Sequence, residues 1–132
     1  MTPVKIQHVA LWSKDIEKLR RFYVQYFGAG SGTKYVNTAK KFSSYFLLFD
    51  SGARLEIMQS EYVSDTKDPV GRSIVGIAHI AFSVGSKENV DQLTALLKKD
   101  RFEILDGPRT TGDGCYESVV LDPDGNRLEI TI

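Results

Sequence analysis

The chain contains two histidines, and each begins a short stretch of the same pattern. His8–Leu11 and His79–Phe82 lie 71 residues apart, and both combine one histidine with alternating apolar side chains. Alternation with a period of two is typical of a β-strand with one face towards a core. A single histidine in such a strand is more often structural than functional. Its repetition at the same place favours a function shared by both copies.

A second repeat supplies carboxylates. Arg54–Ile57 and Arg127–Ile130 have the same sequence, Arg-Leu-Glu-Ile. The glutamates of these stretches, Glu56 and Glu129, alternate with apolar neighbours, so they lie on the strand face opposite to the core. A carboxylate in the middle of a strand is costly unless it is paired or bound to something.

Two imidazoles and two carboxylates on one concave sheet face would form a metal site. Nitrogen and oxygen ligands of this kind suit Zn, Ni, Co, Mn or Fe. Water would fill the remaining coordination positions, where a substrate can enter. The four predicted ligands are His8, Glu56, His79 and Glu129. The structural alternative is that the histidines are packed and the glutamates are solvated.

The elements around these residues repeat as well. The first half predicts a strand over 4–12, a helix that Ser13 caps and Gly28 ends, and strands over 33–38, 43–50 and 53–59. The second half predicts a strand over 76–84, a helix that Ser86 caps, and strands over 102–106, 115–121 and 126–132. Apolar residues recur at the same helical spacing in both helices, which predicts that each helix buries one face.

This repetition indicates one α+β domain over 1–132 that is built from two modules. The first β-α-β-β-β module covers 1–60, a polar linker covers 61–75, and the second module covers 76–132. We expect the two modules to pair into a curved mixed sheet. The helices would cover its apolar outer face, which leaves the concave face for the metal site.

Composition excludes several classes of protein. The 132 residues are 42% hydrophobic and 26% charged, with 17 basic and 17 acidic residues. A net charge of zero gives no electrostatic reason to expect a nucleic-acid or membrane partner. A single cysteine, Cys115, forms no intrachain disulfide. The N-terminal residues lack the apolar region of a signal peptide, so we expect a cytoplasmic protein.

These motifs resemble those of a known family. His-Val-Ala-Leu, Ala-His-Ile-Ala-Phe-Ser-Val, Asp-Pro-Asp-Gly-Asn and the two Arg-Leu-Glu-Ile strands are similar to motifs of the vicinal oxygen chelate superfamily. This superfamily is also called the glyoxalase I (lactoylglutathione lyase), bleomycin resistance and dioxygenase family. The resemblance covers essentially the whole chain. The motifs are specific for the superfamily, but they do not specify the reaction.

The resemblance to the glyoxalase I branch implies a function. It implies a homodimer of paired β-α-β-β-β modules and a small-molecule substrate. The metal ligands of that branch match His8, Glu56, His79 and Glu129 one by one, with Ni or Zn favoured and Co, Mn or Fe as alternatives. Glu129 would be the principal proton-shuttling base, and Glu56 the second catalytic carboxylate. The implied reaction converts the hemithioacetal of a 2-oxoaldehyde to a 2-hydroxyacyl thioester through an enediolate.

Two positions depart from the glyoxalase I pattern. Trp12 stands where that branch usually has an arginine, and Ser60 stands where it usually has an asparagine. Both changes affect the recognition of glutathione and leave the metal ligands intact. Trp12 either lines an apolar substrate pocket or packs in a core or dimer contact. Arg109 lies in a predicted loop, where it would contact an anionic substrate or simply be solvated.

Other members of the superfamily provide the alternatives. An epimerase could use the same parts, since it also removes a proton next to a carbonyl. Thiol transferases typically use three ligands, and ring-cleaving dioxygenases use two histidines and one glutamate with iron. A non-catalytic antibiotic-binding protein of the bleomycin-resistance kind lacks the ligands altogether. The intact set of four residues favours a glyoxalase I-like lyase.

Overall fold

The structure, a computed structural model, describes residues 2–50, 52–64 and 73–132. The chain divides into two compact units, Met1–Thr66 and Lys67–Ile132. Residues 65–72 of the predicted linker, and residue 51 between the strands predicted over 43–50 and 53–59, lie outside the described residues. Within the part of the chain that is described, no helix is long and apolar enough to cross a membrane.

The first unit has one helix and a mixed sheet. Its elements are β1 (His8–Trp12), α1 (Ile16–Phe27), β2 (Gly30–Ser31), β3 (Tyr35–Asn37), β4 (Phe42–Leu48) and β5 (Arg54–Ser60). The strand order is β1-β5-β4-β2, and β3 also pairs with β4. β1 runs parallel to β5, and the other neighbouring strands are antiparallel.

The second unit repeats this plan. Its elements are β6 (Ile80–Ser83), α2 (Lys87–Lys99), β7 (Ile104–Thr110), β8 (Tyr116–Leu121) and β9 (Arg127–Thr131). The strand order is β6-β9-β8-β7, with β6 parallel to β9. β2 and β3 together occupy the edge that β7 occupies here. The predicted α+β class is therefore confirmed. The second unit has the β-α-β-β-β order, and the first unit has the same order with one additional two-residue strand, β2, after its helix.

The predicted end of α1 and the predicted start of α2 agree with the structure, but the predicted start of α1 does not. Ser86 caps α2, since its side chain accepts a hydrogen bond from the Asn89 N–H. Gly28 ends α1 in the left-handed conformation, with φ of 66°. The prediction that Ser13 caps α1 is wrong, because Asp15 accepts from the Lys18 N–H at 3.0 Å instead. Ser13 supports that turn from outside, as its hydroxyl accepts from the Asp15 N–H.

Each helix covers the apolar face of its own sheet. The largest fully buried side chains of the first unit come from α1, β4 and β5, and those of the second from α2, β8 and β9: Tyr23, Ile16, Leu19, Leu47, Ile57, Leu97, Leu128, Ile130, Val90, Val120 and Ser118. Leu96, one of the apolar residues whose helical spacing predicts a buried face of α2, is 44% exposed. Thr94 is buried instead because its hydroxyl bonds Ser118 at 2.7 Å and the Val90 carbonyl at 2.6 Å.

Several strand boundaries differ from the predictions. The strands predicted over 4–12 and 76–84 pair only over His8–Trp12 and Ile80–Ser83, so His79 precedes β6. β2 was not predicted, and β7 extends to Thr110. Alternation shows where a chain can extend, whereas pairing depends on how far a neighbouring strand reaches. Cys115, which was predicted in a strand, is exposed and precedes β8.

Two local features hold the second sheet around its glutamate strand. The Asp122 carboxylate accepts hydrogen bonds from the Asp124 and Asn126 N–H groups, both at 2.9 Å, which closes the turn between β8 and β9. Gly107 brings β7 close to β8 with φ of 75°, and a Cβ there would lie 2.5 Å from the Glu117 carbonyl oxygen. Only glycine is compatible with this approach.

Candidate metal centre

The first histidine–glutamate pair lies on the sheet face of the first unit that α1 does not cover. His8 begins β1, and Glu56 lies on the parallel neighbour β5, in register with Ala10. Because side chains alternate, His8 and Ala10 point to the same face as Glu56. The His8 Nε2 and Glu56 Oε1 atoms are 3.7 Å apart, and their side chains are 38% and 17% exposed.

The second pair has the same arrangement in the second unit. Glu129 lies on β9, in register with Ala81 of the parallel strand β6. His79 is two residues before Ala81, just as His8 is two residues before Ala10, so the strand offset is the same. The His79 Nε2 and Glu129 Oε1 atoms are 3.2 Å apart. The sequence repeat therefore corresponds to a repeat of geometry.

The donor atoms of each pair suit a shared divalent cation. Ligand atoms that bind at adjacent positions, each about 2.0–2.2 Å from one ion, lie roughly 3.0–3.5 Å apart. The 3.2 Å pair falls within this range, and the 3.7 Å pair needs only a small side-chain rotation. Partial exposure leaves both pairs open to an incoming ion.

Within each described unit, two of the candidate metal ligands lie close together. Among the described residues, no group of three or more His, Cys, Asp and Glu side chains is placed to hold a metal ion. Each described unit thus holds one imidazole and one carboxylate close together. The residues fit the cation in donor type and spacing, pair by pair.

A second carboxylate, which the sequence analysis missed, lies beside Glu129. Glu117 of β8 is on the same sheet face, because Val119, two residues along, is in register with Glu129. Burial raises the pKa of Glu117, and the charge of Glu129 and a hydrogen bond to it raise that pKa further. The equivalent position in the first unit is Ser44, so the internal repeat gave no signal for Glu117.

Trp12 lies on the same face of β1 as His8, as predicted from alternation. Its ring is 54% exposed and meets Phe42 edge to face, with centroids 6.2 Å apart. Phe42 in turn contacts Tyr35 and lines an open cavity of about 300 Å³. The residues that line this cavity also include Ser60 but do not include Trp12. The role of Trp12 in substrate binding stays a prediction.

Arg109 is not in a loop as predicted, but in β7, opposite Glu117 of β8. The strand at Arg109 could not be predicted, because Gly107 and Pro108 precede it and are typical of a break. In the structure, β7 continues past them through a β-bulge. Its Nε donates to the Asp106 carboxylate at 2.8 Å. That hydrogen bond lowers the pKa of Asp106. A substrate anion would therefore compete with Asp106 for this guanidinium.

Comparison with known proteins identifies the family. The model of the Glyoxalase/Bleomycin resistance protein/Dioxygenase superfamily matches residues 5–130. The chain belongs to this superfamily. The sequence resemblance to the vicinal oxygen chelate superfamily is thereby confirmed. Members of the superfamily usually bind a divalent metal and a small molecule, and they include both glyoxalase I lyases and proteins that are not enzymes.

Individual relatives of the superfamily agree in fold. The uncharacterized protein YqjT of Bacillus subtilis (strain 168) is 28% identical over 131 residues, which is 95% of this chain and 96% of the relative. A glyoxylase/bleomycin resistance protein/dioxygenase domain from Frankia sp. EAN1pec matches with a TM-score of 0.82 and 18% identity, over 99% of this chain and 98% of that one. The trypanothione-dependent glyoxalase I of Leishmania major gives a TM-score of 0.77 and 22% identity, over 98% and 86%. At these identities the two structures show the fold alone.

Proposed function

We propose that this protein is a metal-dependent lyase of the glyoxalase I type, which converts the hemithioacetal of a 2-oxoaldehyde to a 2-hydroxyacyl thioester. One observation supports this above all. The same histidine–glutamate pair, with its nitrogen and oxygen at 3.7 and 3.2 Å, occurs on the sheet face of both units. Packing alone requires neither residue type, and still less the same two residues twice. The proposed ligands are His8, Glu56, His79 and Glu129.

The chemistry follows from these groups. A bound Ni or Zn ion, or Co, Mn or Fe in their place, would stabilise the negative charge that develops on two neighbouring substrate oxygens when a C–H proton leaves. Glu129 removes that proton and returns it to the adjacent carbon, and Glu56 is the second proposed catalytic carboxylate. Trp12 and Arg109 are the candidate substrate contacts. The same proton transfer would serve an epimerase.

The thiol of the substrate is a separate question. Trp12 and Ser60 replace two residues that the glyoxalase I pattern uses for glutathione, and Ser60 lines the open cavity of the first unit. We therefore expect methylglyoxal adducts of other thiols to be turned over at least as well as the glutathione adduct. Comparing kcat/KM for glutathione, cysteine and coenzyme A adducts measures this preference. A clear preference for glutathione would show that Trp12 and Ser60 do not disfavour it.

The first experiment is metal analysis of the purified protein after loading with Ni or Zn. We expect about one equivalent per chain in the wild type, and its loss in a His8→Ala, His79→Ala double variant. Glu88→Gln, on the exposed first turn of α2, is a matched control and should retain the metal. A wild type that binds no metal would overturn the enzyme assignment.

A small-molecule binding protein without catalysis is the second candidate. The exposed aromatic rings of Trp12 and Tyr35, each 54% exposed and both in contact with Phe42, favour it. Exposed aromatic clusters beside a cavity commonly bind flat organic molecules. Ligand binding by metal-free protein, with no turnover in the loaded protein, would support this candidate over the lyase.

A further inference from the structure

The Nδ1 side of the His8 imidazole contacts a side chain that has no counterpart in the second unit. Its Nδ1 lies 2.6 Å from the Gln7 Oε1 atom. We propose that Gln7 is a positioning residue, which holds His8 in the tautomer that carries its hydrogen on Nδ1. Nε2 then presents its lone pair to the side where Glu56 lies. The inference deepens the proposed function, because a metal would bind at Nε2.

The identity of the Gln7 atom follows from a third group. The Arg54 guanidinium also contacts it, at 3.1 Å from Nη2. A guanidinium only donates hydrogen bonds, so the atom that it meets is the amide oxygen. An oxygen with no hydrogen can only accept from His8. The Nδ1 atom of His8 therefore carries the hydrogen, and in the neutral ring Nε2 is left without one.

Arg54 is itself fixed in place. Its guanidinium lies over the Phe46 ring, 4.2 Å from the centroid, and its backbone N–H donates to the Gln7 carbonyl at 2.9 Å. The Phe46 ring also meets the His8 ring edge to face, with centroids 5.4 Å apart. Gln7 is thus held through both its backbone and its side chain. His8 is restrained on its edge by Gln7 and on its flank by Phe46.

The second histidine lacks this support. Ala78 occupies the position before His79, and Val119 occupies the position equivalent to Phe46. Among the described residues, the contacts of the His79 side chain are with the carboxylates of Glu129 and, through charge, Glu117. The two imidazoles therefore differ: Gln7 holds the hydrogen of His8 on Nδ1, whereas the Nε2 atom of His79 lies 3.2 Å from the Glu129 carboxylate, which only accepts and so favours the Nε2–H form.

Nitrogen NMR of the metal-free protein tests this directly. The chain has only two histidines, so a ¹⁵N-histidine-labelled sample contains two imidazole patterns, and His79→Ala assigns the one from His8. At alkaline pH, where an ordinary imidazole is neutral, we expect His8 in the Nδ1–H form. An unconstrained imidazole prefers Nε2–H, so a predominant Nε2–H form of His8 in the wild type would overturn the inference.

Variants of Gln7 separate positioning from folding. Gln7→Leu removes the acceptor, so His8 should shift towards the Nε2–H form that an unconstrained imidazole prefers, and metal affinity should fall about 10- to 100-fold. Gln7→Glu keeps an oxygen acceptor and should retain the Nδ1–H form. Gln92→Leu, on the exposed surface of α2, is the matched control and should change neither quantity. An unchanged His8 pattern in folded Gln7→Leu protein would contradict the assignment.

The test also distinguishes this inference from the proposed function. The tautomer is measured without metal, so it does not depend on whether a metal binds. A fixed Nδ1–H form together with no metal binding in any variant would retain the positioning role and reject the lyase. Metal binding by the wild type, with His8 exchanging freely between its two tautomers, would retain the lyase and reject the positioning role of Gln7. If Gln7→Leu does not fold, the wild type and Gln7→Glu spectra still decide the tautomer.

Discussion

The two histidine–glutamate pairs differ in their surroundings, although their strand offsets are equal. His8 is packed against Phe46 and hydrogen-bonded to Gln7, while Glu129 has Glu117 beside it. The first unit thus offers a rigid imidazole, and the second offers an additional carboxylate. For the proposed reaction, the first pair is therefore better suited to hold a metal ion and the second pair to transfer a proton.

A comparison of glutamate variants tests this division of roles. Glu129→Gln keeps an oxygen but cannot accept a proton, so we expect kcat to fall about 10²- to 10⁴-fold while metal content changes less. Glu56→Gln should reduce kcat by a smaller factor. Metal content and kcat are measured on the same samples, with Glu88→Gln as the control. A larger loss in Glu56→Gln would reverse the two roles.

At the scale of elements, α1 is joined to its sheet by a charged hydrogen bond. The Tyr45 hydroxyl of β4 donates to the Glu17 carboxylate of α1 at 2.9 Å, and the Lys34 ammonium lies 3.1 Å from the same carboxylate. The Tyr45 hydrogen bond is the largest cause of a lowered Glu17 pKa, followed among the favourable causes by Lys34. Arg20 of α1 also lies over the Tyr45 ring, 5.1 Å from its centroid.

Tyr45→Phe should therefore destabilise the protein in a pH-dependent way. Because the folded pKa of Glu17 is below its ordinary value, the interaction stabilises the protein above the unfolded pKa and is lost as pH falls through the folded pKa. Glu17 is 43% exposed, so solvent limits the loss at neutral pH to about 1 kcal/mol. Urea unfolding at neutral and acidic pH measures it, with the exposed Tyr62→Phe as control. An equal loss of stability at both pH values would show that the hydrogen bond to the Glu17 carboxylate is not its cause.

The buried hydroxyl pair between α2 and β8 gives a second test at this scale. Thr94 bonds both Ser118 and the Val90 carbonyl. Ser118→Ala leaves Thr94 with Val90, whereas Thr94→Val leaves the buried Ser118 hydroxyl without this partner. We expect Thr94→Val to cost about 1–3 kcal/mol and Ser118→Ala less. A double-mutant cycle uses the free energies of unfolding of the two single variants and of the double variant. A larger loss of stability for Ser118→Ala than for Thr94→Val would exclude this explanation.

At the scale of the whole molecule, each unit holds one histidine and one glutamate of the four proposed ligands. Two protein ligands are fewer than the three or four that a tightly held zinc ion has. We expect saturating Ni or Zn to raise Tm, since a ligand at about 100 times its Kd adds about 2.7 kcal/mol of stability. His8→Ala and His79→Ala should each abolish most of that shift. Two independent sites would instead bind about two ions per chain and leave half the shift in each variant.

The order of helices and strands was predictable because the same sequence pattern occurs twice in the chain. Strand, helix and three strands recur with the same apolar spacing, and the observed units have this order apart from the additional short strand β2 in the first. The histidine and glutamate faces were predictable too, since a period of two separates the faces of any strand. Boundaries were not, because β1 and β6 pair only where β5 and β9 lie alongside. The cap at Asp15 depends on the entry angle of α1, which no local pattern specifies.

The amino-acid sequence by itself determined the duplicated architecture and the sheet face on which each histidine and glutamate lies. Both follow from local periodicity and from residue types that recur at equal spacing. Only the tertiary structure showed Glu117 beside Glu129, and Gln7, Arg54 and Phe46 around His8. These neighbours come from different strands, or occur in one copy only. Their proximity arises from strand register and side-chain contact, which appear only after the chain has folded.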